Sequence, residues 1–73
     1  MANISERLFK LRSDKQLLQK DVAKDAGLAL RSYIYYEHGE RKPDSDTLIK
    51  LADYFDVSLD WLTGRSETRE RQP

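Results

Sequence analysis

The sequence predicts an all-α fold, a compact set of five short helices, and three observations carry that reading. Apolar residues recur at helical spacing in separate stretches, Ile4, Leu8 and Leu11 near the start and Leu48, Leu51, Ala52 and Phe55 further on. Between them, Leu17 to Pro43 reads as two helices joined by a tight turn at Gly27. Val22, Ala23 and Ala26 precede the break, and Tyr33, Tyr36 and Glu37 follow it, which is a helix-turn-helix pattern. Capping residues or glycines bound most of these stretches: Asn3, Asp44 and Ser58 at starts, Gly27, Gly39 and Gly64 at ends.

Length and charge narrow the possibilities. A chain of 73 residues holds one domain with a small core and marginal stability. It has no cysteine, which excludes disulfides and thiolate metal sites, and its one histidine, His38, cannot build a metal cage alone. No apolar run approaches the roughly 20 residues that cross a bilayer, and no secretory signal opens the chain, so a cytoplasmic protein is expected. The net charge is +0 but unevenly spread: residues 1–43 carry nine Lys/Arg against six Asp/Glu, and residues 44–60 carry one against five. The reading unit is therefore expected in the basic half, while Asp53, Asp56 and Asp60 form a solvated acidic edge.

Each element has its own justification. Helix 1 starts with Asn3 and Glu6 as a capping-box variant and runs to about Asp14; Phe9 falls off its buried stripe, either along a groove edge or as an exposed contact. Helix 2 opens at Gln19, with Ala23 suited to close helix approach and Gly27 to the cramped turn. Helix 3 spans about Leu30 to His38. With Tyr33 and Tyr36 inward, Leu30, Arg31, Ile34, Tyr35 and His38 face outward; a slip of one position would bury Ile34 instead of Tyr33. After Gly39, the segment Glu40 to Pro43 connects to helix 4, which Asp44 caps and Asp46 favours at its positive end. Ser58 caps a short helix 5 holding Leu59 and Leu62, and Gly64 ends it. Residues 65–73 are polar and aperiodic and read as a disordered tail.

In order and without a large gap, residues 4–64 carry a further pattern. Its members are Ile4, Arg7, Leu8, Leu11 and Arg12, then Gln19, Val22, Ala23 and Gly27, then Tyr36-Glu37, Gly39 and Arg41-Lys42-Pro43. The runs Asp46-Thr47-Leu48-Ile49-Lys50-Leu51-Ala52 and Val57-Ser58-Leu59-Asp60-Trp61-Leu62 complete it. In these residues the chain resembles the phage repressor and Cro type of helix-turn-helix domain, the xenobiotic-response-element family of bacterial regulators. The departures are Leu18 and Ala29, which stand where Ser or Thr commonly caps helices 2 and 3, each lost cap being worth about 1 kcal/mol.

The resemblance implies that residues 1–64 form a DNA-binding domain of a transcriptional regulator, most often a repressor, needing neither cofactor nor metal. Helix 3 would enter the major groove with Leu30, Arg31, Ile34 and Tyr35 toward the bases: Arg31 to guanine, Leu30 or Ile34 on thymine methyls, Tyr35 to a base or phosphate. Gln19 and Lys20 at the start of helix 2, with Arg41 and Lys42 after helix 3, would contact phosphates. Arg12 and Glu37 would form a structural ion pair. A homodimer on a roughly palindromic duplex is expected, and Trp61 with Leu62 either fills the core or is buried across the dimer interface.

A rival reading is a protein-interaction module, antitoxin-like or antirepressor-binding, which uses the apolar outward face of helix 3 to hold a regulatory protein. An enzyme is not expected, because one His, no Cys and no clustered carboxylates leave nothing from which to assemble a catalytic site.

Overall fold

A computed structural model of the protein describes residues 3–70. Those residues form five α-helices: α1 (Ile4–Asp14), α2 (Gln19–Ala26), α3 (Leu30–His38), α4 (Ser45–Phe55) and α5 (Leu59–Leu62). Local chemistry sets their starts. Asn3 has extended backbone and its side-chain oxygen accepts from the Glu6 N–H at 2.9 Å, with the Ser5 hydroxyl donating to the same oxygen. Asp44 accepts from the Thr47 N–H at 3.0 Å, and Ser58 from the Trp61 N–H at 3.3 Å. Leu18 and Ala29 offer no side-chain acceptor to α2 and α3. At α2 the carboxylate of Asp21 restores part of the loss by accepting from the Leu18 N–H at 3.1 Å.

Gly27 sits at φ +76°, left-handed backbone that carries no penalty without a Cβ. The turn it makes lets the Leu28 N–H donate to the Ala23 carbonyl at 2.7 Å, closing α2 before α3 begins. Gly39 ends α3 in the same way at φ +77°, and the Glu40 N–H reaches the Tyr35 carbonyl at 2.9 Å.

The core lies among all five helices. α1 packs on α3 and α5, α2 packs on α3 and α4, and α4 packs on α5. Leu8 and Leu11, Val22 and Ala23, Tyr33, and Leu51, Ala52 and Phe55 are the buried contributions of α1 to α4 in order. Tyr33 is fully buried and Ile34 only half-buried, so α3 takes the register that turns Tyr33 inward. Trp61 and Leu62 of α5 are core residues within a single chain, Trp61 retaining 7% of its exposure and Leu62 none. Leu59, by contrast, is 40% exposed. The Tyr54 hydroxyl donates to Asp25 Oδ2 at 3.2 Å, pinning α4 to α2 at the surface.

Beyond Gly64 the chain folds back onto the domain over residues 65–70. This is the described part of the stretch whose polar composition suggests a disordered tail; residues 71–73 lie outside the described residues. The Ser58 N–H donates to the Arg69 carbonyl at 2.8 Å, and the Arg69 guanidinium stands 5.4 Å from the Trp61 ring centroid and 3.6 Å from Asp14 Oδ2. Arg7, buried on α1, covers the same ring at 4.5 Å. Its Nη1 donates to the Trp61 and Ser66 carbonyls, and its Nη2 lies 3.8 Å from Glu67 Oε1. Composition is silent on this arrangement because two arginine–indole stacks, not an apolar stripe, order the segment.

Candidate nucleic-acid interface

The interface is built on an ion pair that fixes α3 against α1. Arg12, in the last turn of α1, donates Nε to both Glu37 oxygens at 2.8 and 3.1 Å and Nη2 to Oε1 at 2.6 Å. Its Nη1 donates to the Leu17 carbonyl at 2.9 Å, so one guanidinium holds α1, the loop before α2, and α3. Only 4% of the Glu37 side chain is exposed. Burial is the strongest single influence and works to raise the Glu37 carboxyl, but the hydrogen bonds and charge of Arg12, with help from the nearby Tyr33 hydroxyl and Gln19, together hold the group below its usual range. Arg12 is raised, chiefly by the same bonds. Tyr33, one turn before Glu37, has a buried hydroxyl without a hydrogen-bond partner. Burial first, and the adjacent carboxylate second, push its phenol well above the ordinary tyrosine value.

Gln19 is drawn into this network. Its Nε2 donates to Glu37 Oε1 at 3.3 Å, so the first residue of α2 is tied to the last turn of α3. The neighbouring Lys20 is exposed. Helix α2 begins there without a cap from the Leu18 side chain, and the Asp21 carboxylate takes the Leu18 N–H alone.

The outward face of α3 is mixed in character. Leu30 is 44% exposed, Arg31 and His38 are exposed, and Ile34 and Tyr35 are half-buried. Following α3, Arg41 and Lys42 are exposed, while Pro43 is buried. Arg41 stacks on Tyr35 with its guanidinium carbon 5.4 Å from the ring centroid. Arg41 and Lys42 also border a cleft of about 410 Å³ whose apolar members are Ile4, Tyr36 and Pro43. The candidate base-facing residues thus share one helix, and Gln19, Lys20, Arg41 and Lys42 lie on the segments that flank it in sequence.

Arg7 is a charged residue whose role spacing alone does not reveal. Its partners at Trp61 and Ser66 are 54 and 59 residues away, so no local pattern announces the contact. Among the described residues, no group of three or more His, Cys, Asp or Glu is placed to hold a metal ion. No described helix is long and apolar enough to cross a membrane.

Residues 8–62 match the family model described as helix-turn-helix, and the chain belongs to that family. It is 42% identical over 67 residues to the uncharacterized HTH-type transcriptional regulator YqaE of Bacillus subtilis (strain 168), covering 92% of this chain and 57% of that protein. It is 41% identical over 69 residues to the cryptic phage CTXphi transcriptional repressor RstR of Vibrio cholerae serotype O1, covering 94% of this chain and 62% of that protein. The chain therefore spans somewhat over half the length of these curated relatives. Among solved structures, the P22 c2 repressor in complex with synthetic operator 9T superposes with a TM-score of 0.83 over 90% of this chain and 100% of that one. At 21% identity that likeness establishes the fold alone. A transcriptional regulator from Listeria innocua reaches a TM-score of 0.80 at 33% identity, over 96% of this chain and 65% of that one.

Proposed function

We propose that the chain binds duplex DNA in a sequence-specific manner and regulates transcription, as a repressor, by laying α3 in the major groove. The observation that carries this reading is a difference in how the arginines are used. Arg7, Arg12 and Arg69 each meet a carboxylate, whereas Arg31 and Arg41, with the neighbouring Lys42, are exposed and have no ion-pair partner among the described residues; Arg65, beyond α5, is the other described arginine without one. Charges left open on and just after α3 suit base edges and phosphates. The names of the relatives, a transcriptional regulator and a repressor, support the same reading.

On this reading residues 1–64 are the DNA-binding unit. Arg31 contacts guanine, Leu30 and Ile34 lie against thymine methyls, and Gln19, Lys20, Arg41 and Lys42 grip the backbone. One such unit offers modest surface, so two copies bind a roughly palindromic operator with half-sites about one helical turn apart. With Trp61 and Leu62 inside the core, the apolar surface for that dimer is better supplied by Ile49 and Leu59, which are 47% and 40% exposed beside a groove of about 420 Å³. Such a regulator works in the cytoplasm, and occupancy of the operator excludes polymerase.

Selection from random duplex DNA at about 0.1 M salt, followed by salt titration on the winner, tests this. Enrichment of a palindrome whose affinity falls steeply with salt is the expected result, and no enrichment defeats the proposal. The exposure of Leu30 on α3 favours a second reading, a face that docks a regulatory protein. Replacing Arg31, Arg41 and Lys42 with alanine separates the two, since it abolishes DNA binding and spares a purely apolar dock.

A further inference from the structure

Among the described residues, four arginines lie over aromatic rings: Arg7 and Arg69 over Trp61, Arg12 over Phe9 and Arg41 over Tyr35. Three of them also hold a carboxylate, Arg7 with Glu67, Arg12 with Glu37 and Arg69 with Asp14. Their positive charge is thereby engaged within the protein. Arg41 is the exception. No carboxylate among the described residues lies within ion-pair distance of it, and the Tyr35 ring 5.4 Å away is the side-chain surface that orders it. The backbone reinforces the pairing, because the Arg41 N–H donates to the Tyr35 carbonyl at 3.3 Å, beside the stronger bond from Glu40 at 2.9 Å. One residue thus anchors both the main chain and the guanidinium of the other.

We infer that Tyr35 is a positioning residue whose ring holds the Arg41 guanidinium ready for a DNA backbone phosphate, and that it is not itself a reader of bases. A free arginine on a loop samples many rotamers, and ordering it on binding opposes association; a stacked one has already lost that freedom. The phenyl face leaves the N–H groups of the guanidinium edge available to an anion, which an ion pair would occupy. Tyr35 is half-buried at the C-terminal half of α3, while the base-facing end of a recognition helix is its N-terminal half, where Arg31 stands. The inference rests on the DNA-binding reading and refines it, moving Tyr35 from the base-contacting set to the support of a phosphate contact.

The test is a double-mutant cycle on the selected operator, read by affinity, by salt slope and by repeating the selection. Tyr35→Phe keeps the ring and should bind within about twofold of the parent. Tyr35→Leu should weaken binding about three- to fivefold, lower the salt slope toward that of Arg41→Ala, itself about 1.8 below the parent because each of the two bound copies loses one phosphate contact, and leave the selected sequence unchanged. In the Arg41→Ala background, Tyr35→Leu should have no further effect. An equal loss in both backgrounds, or a change in the selected bases, overturns the inference while the DNA reading stands. Failure of the parent chain to bind any duplex in a salt-dependent way overturns both. Arg41→Lys guards against a misfolded Tyr35→Leu: it keeps the charge but lacks the planar face, so it should match the Tyr35→Leu loss, and parental affinity would overturn the inference.

Discussion

Glu37 is where the stability of the interface concentrates. Its carboxylate is nearly inaccessible and takes hydrogen bonds from Arg12 and Gln19, so deleting it strands a guanidinium that is itself largely covered. Glu37→Ala should lower the unfolding free energy by about 3–5 kcal/mol, a large share of the about 4–11 kcal/mol expected of a domain this size. Denaturant melts would measure it. Because the folded-state pKa of Glu37 lies below its ordinary value of 4.5, the pair contributes fully above that pH and is lost as pH falls through the lower folded value. Thermal melts should therefore show a steep decline below about pH 4.5 for the parent chain and a shallower one for Glu37→Gln. Tyr33 offers a contrasting case: its buried hydroxyl lies near the Glu37 carboxylate without a well-formed hydrogen bond, so Tyr33→Phe should change stability by no more than about 1 kcal/mol in either direction.

At the scale of the helix, the two halves of the motif are weakly started and firmly stopped. α2 and α3 lack side-chain caps, yet Leu18 and Ala29 already have the extended backbone that a capping residue uses. Leu18→Ser and Ala29→Ser should each add about 1 kcal/mol, and each should raise the melting temperature by about 4–8 °C. A calorimetric scan showing no gain for either would mean that unseen strain at the helix starts offsets the cap. The starts of α1, α4 and α5 and the stops of α2 and α3 are legible because their signals are local: Asn3, Asp44 and Ser58 at the starts, and Gly27 and Gly39 at the stops, each act within four residues of themselves. The register of α3 was not legible, since Tyr33 and Ile34 are both apolar neighbours and only packing against α1 decides between them.

At the scale of the whole molecule, long-range contacts explain what sequence reading could not reach. Trp61 was open between core and interface because its neighbours Arg7 and Arg69 come from opposite ends of the chain, and no spacing joins them. The segment 65–70 is held by arginine–indole stacking and by the Ser58–Arg69 backbone bond, features that polar composition conceals. Replacing Arg69 with Ala and truncating after Gly64 should both shift the emission of this single tryptophan to longer wavelength, and the truncation should remove about 1–2 kcal/mol of stability. Unchanged emission in both would show that the segment does not cover the ring in solution. The candidate interface residues can be named from sequence because they sit on one helix and the segments beside it, whereas the bond from Gln19 to Glu37 and the stack of Arg41 on Tyr35 cannot.

The bonds from Arg7 to Trp61 and Ser66 also order events during synthesis. The second-to-fourth helices make contacts close in sequence and can associate as soon as they leave the ribosome. The first helix carries a cation whose partners are translated about 3–12 s later at ordinary elongation rates. Until then that side chain stays in water, and the first helix is held only by its packing on the third and by the Arg12–Glu37 pair. Protease challenge of stalled nascent chains should find the first helix partly protected once the third has emerged, and more strongly protected once residues 61–66 have.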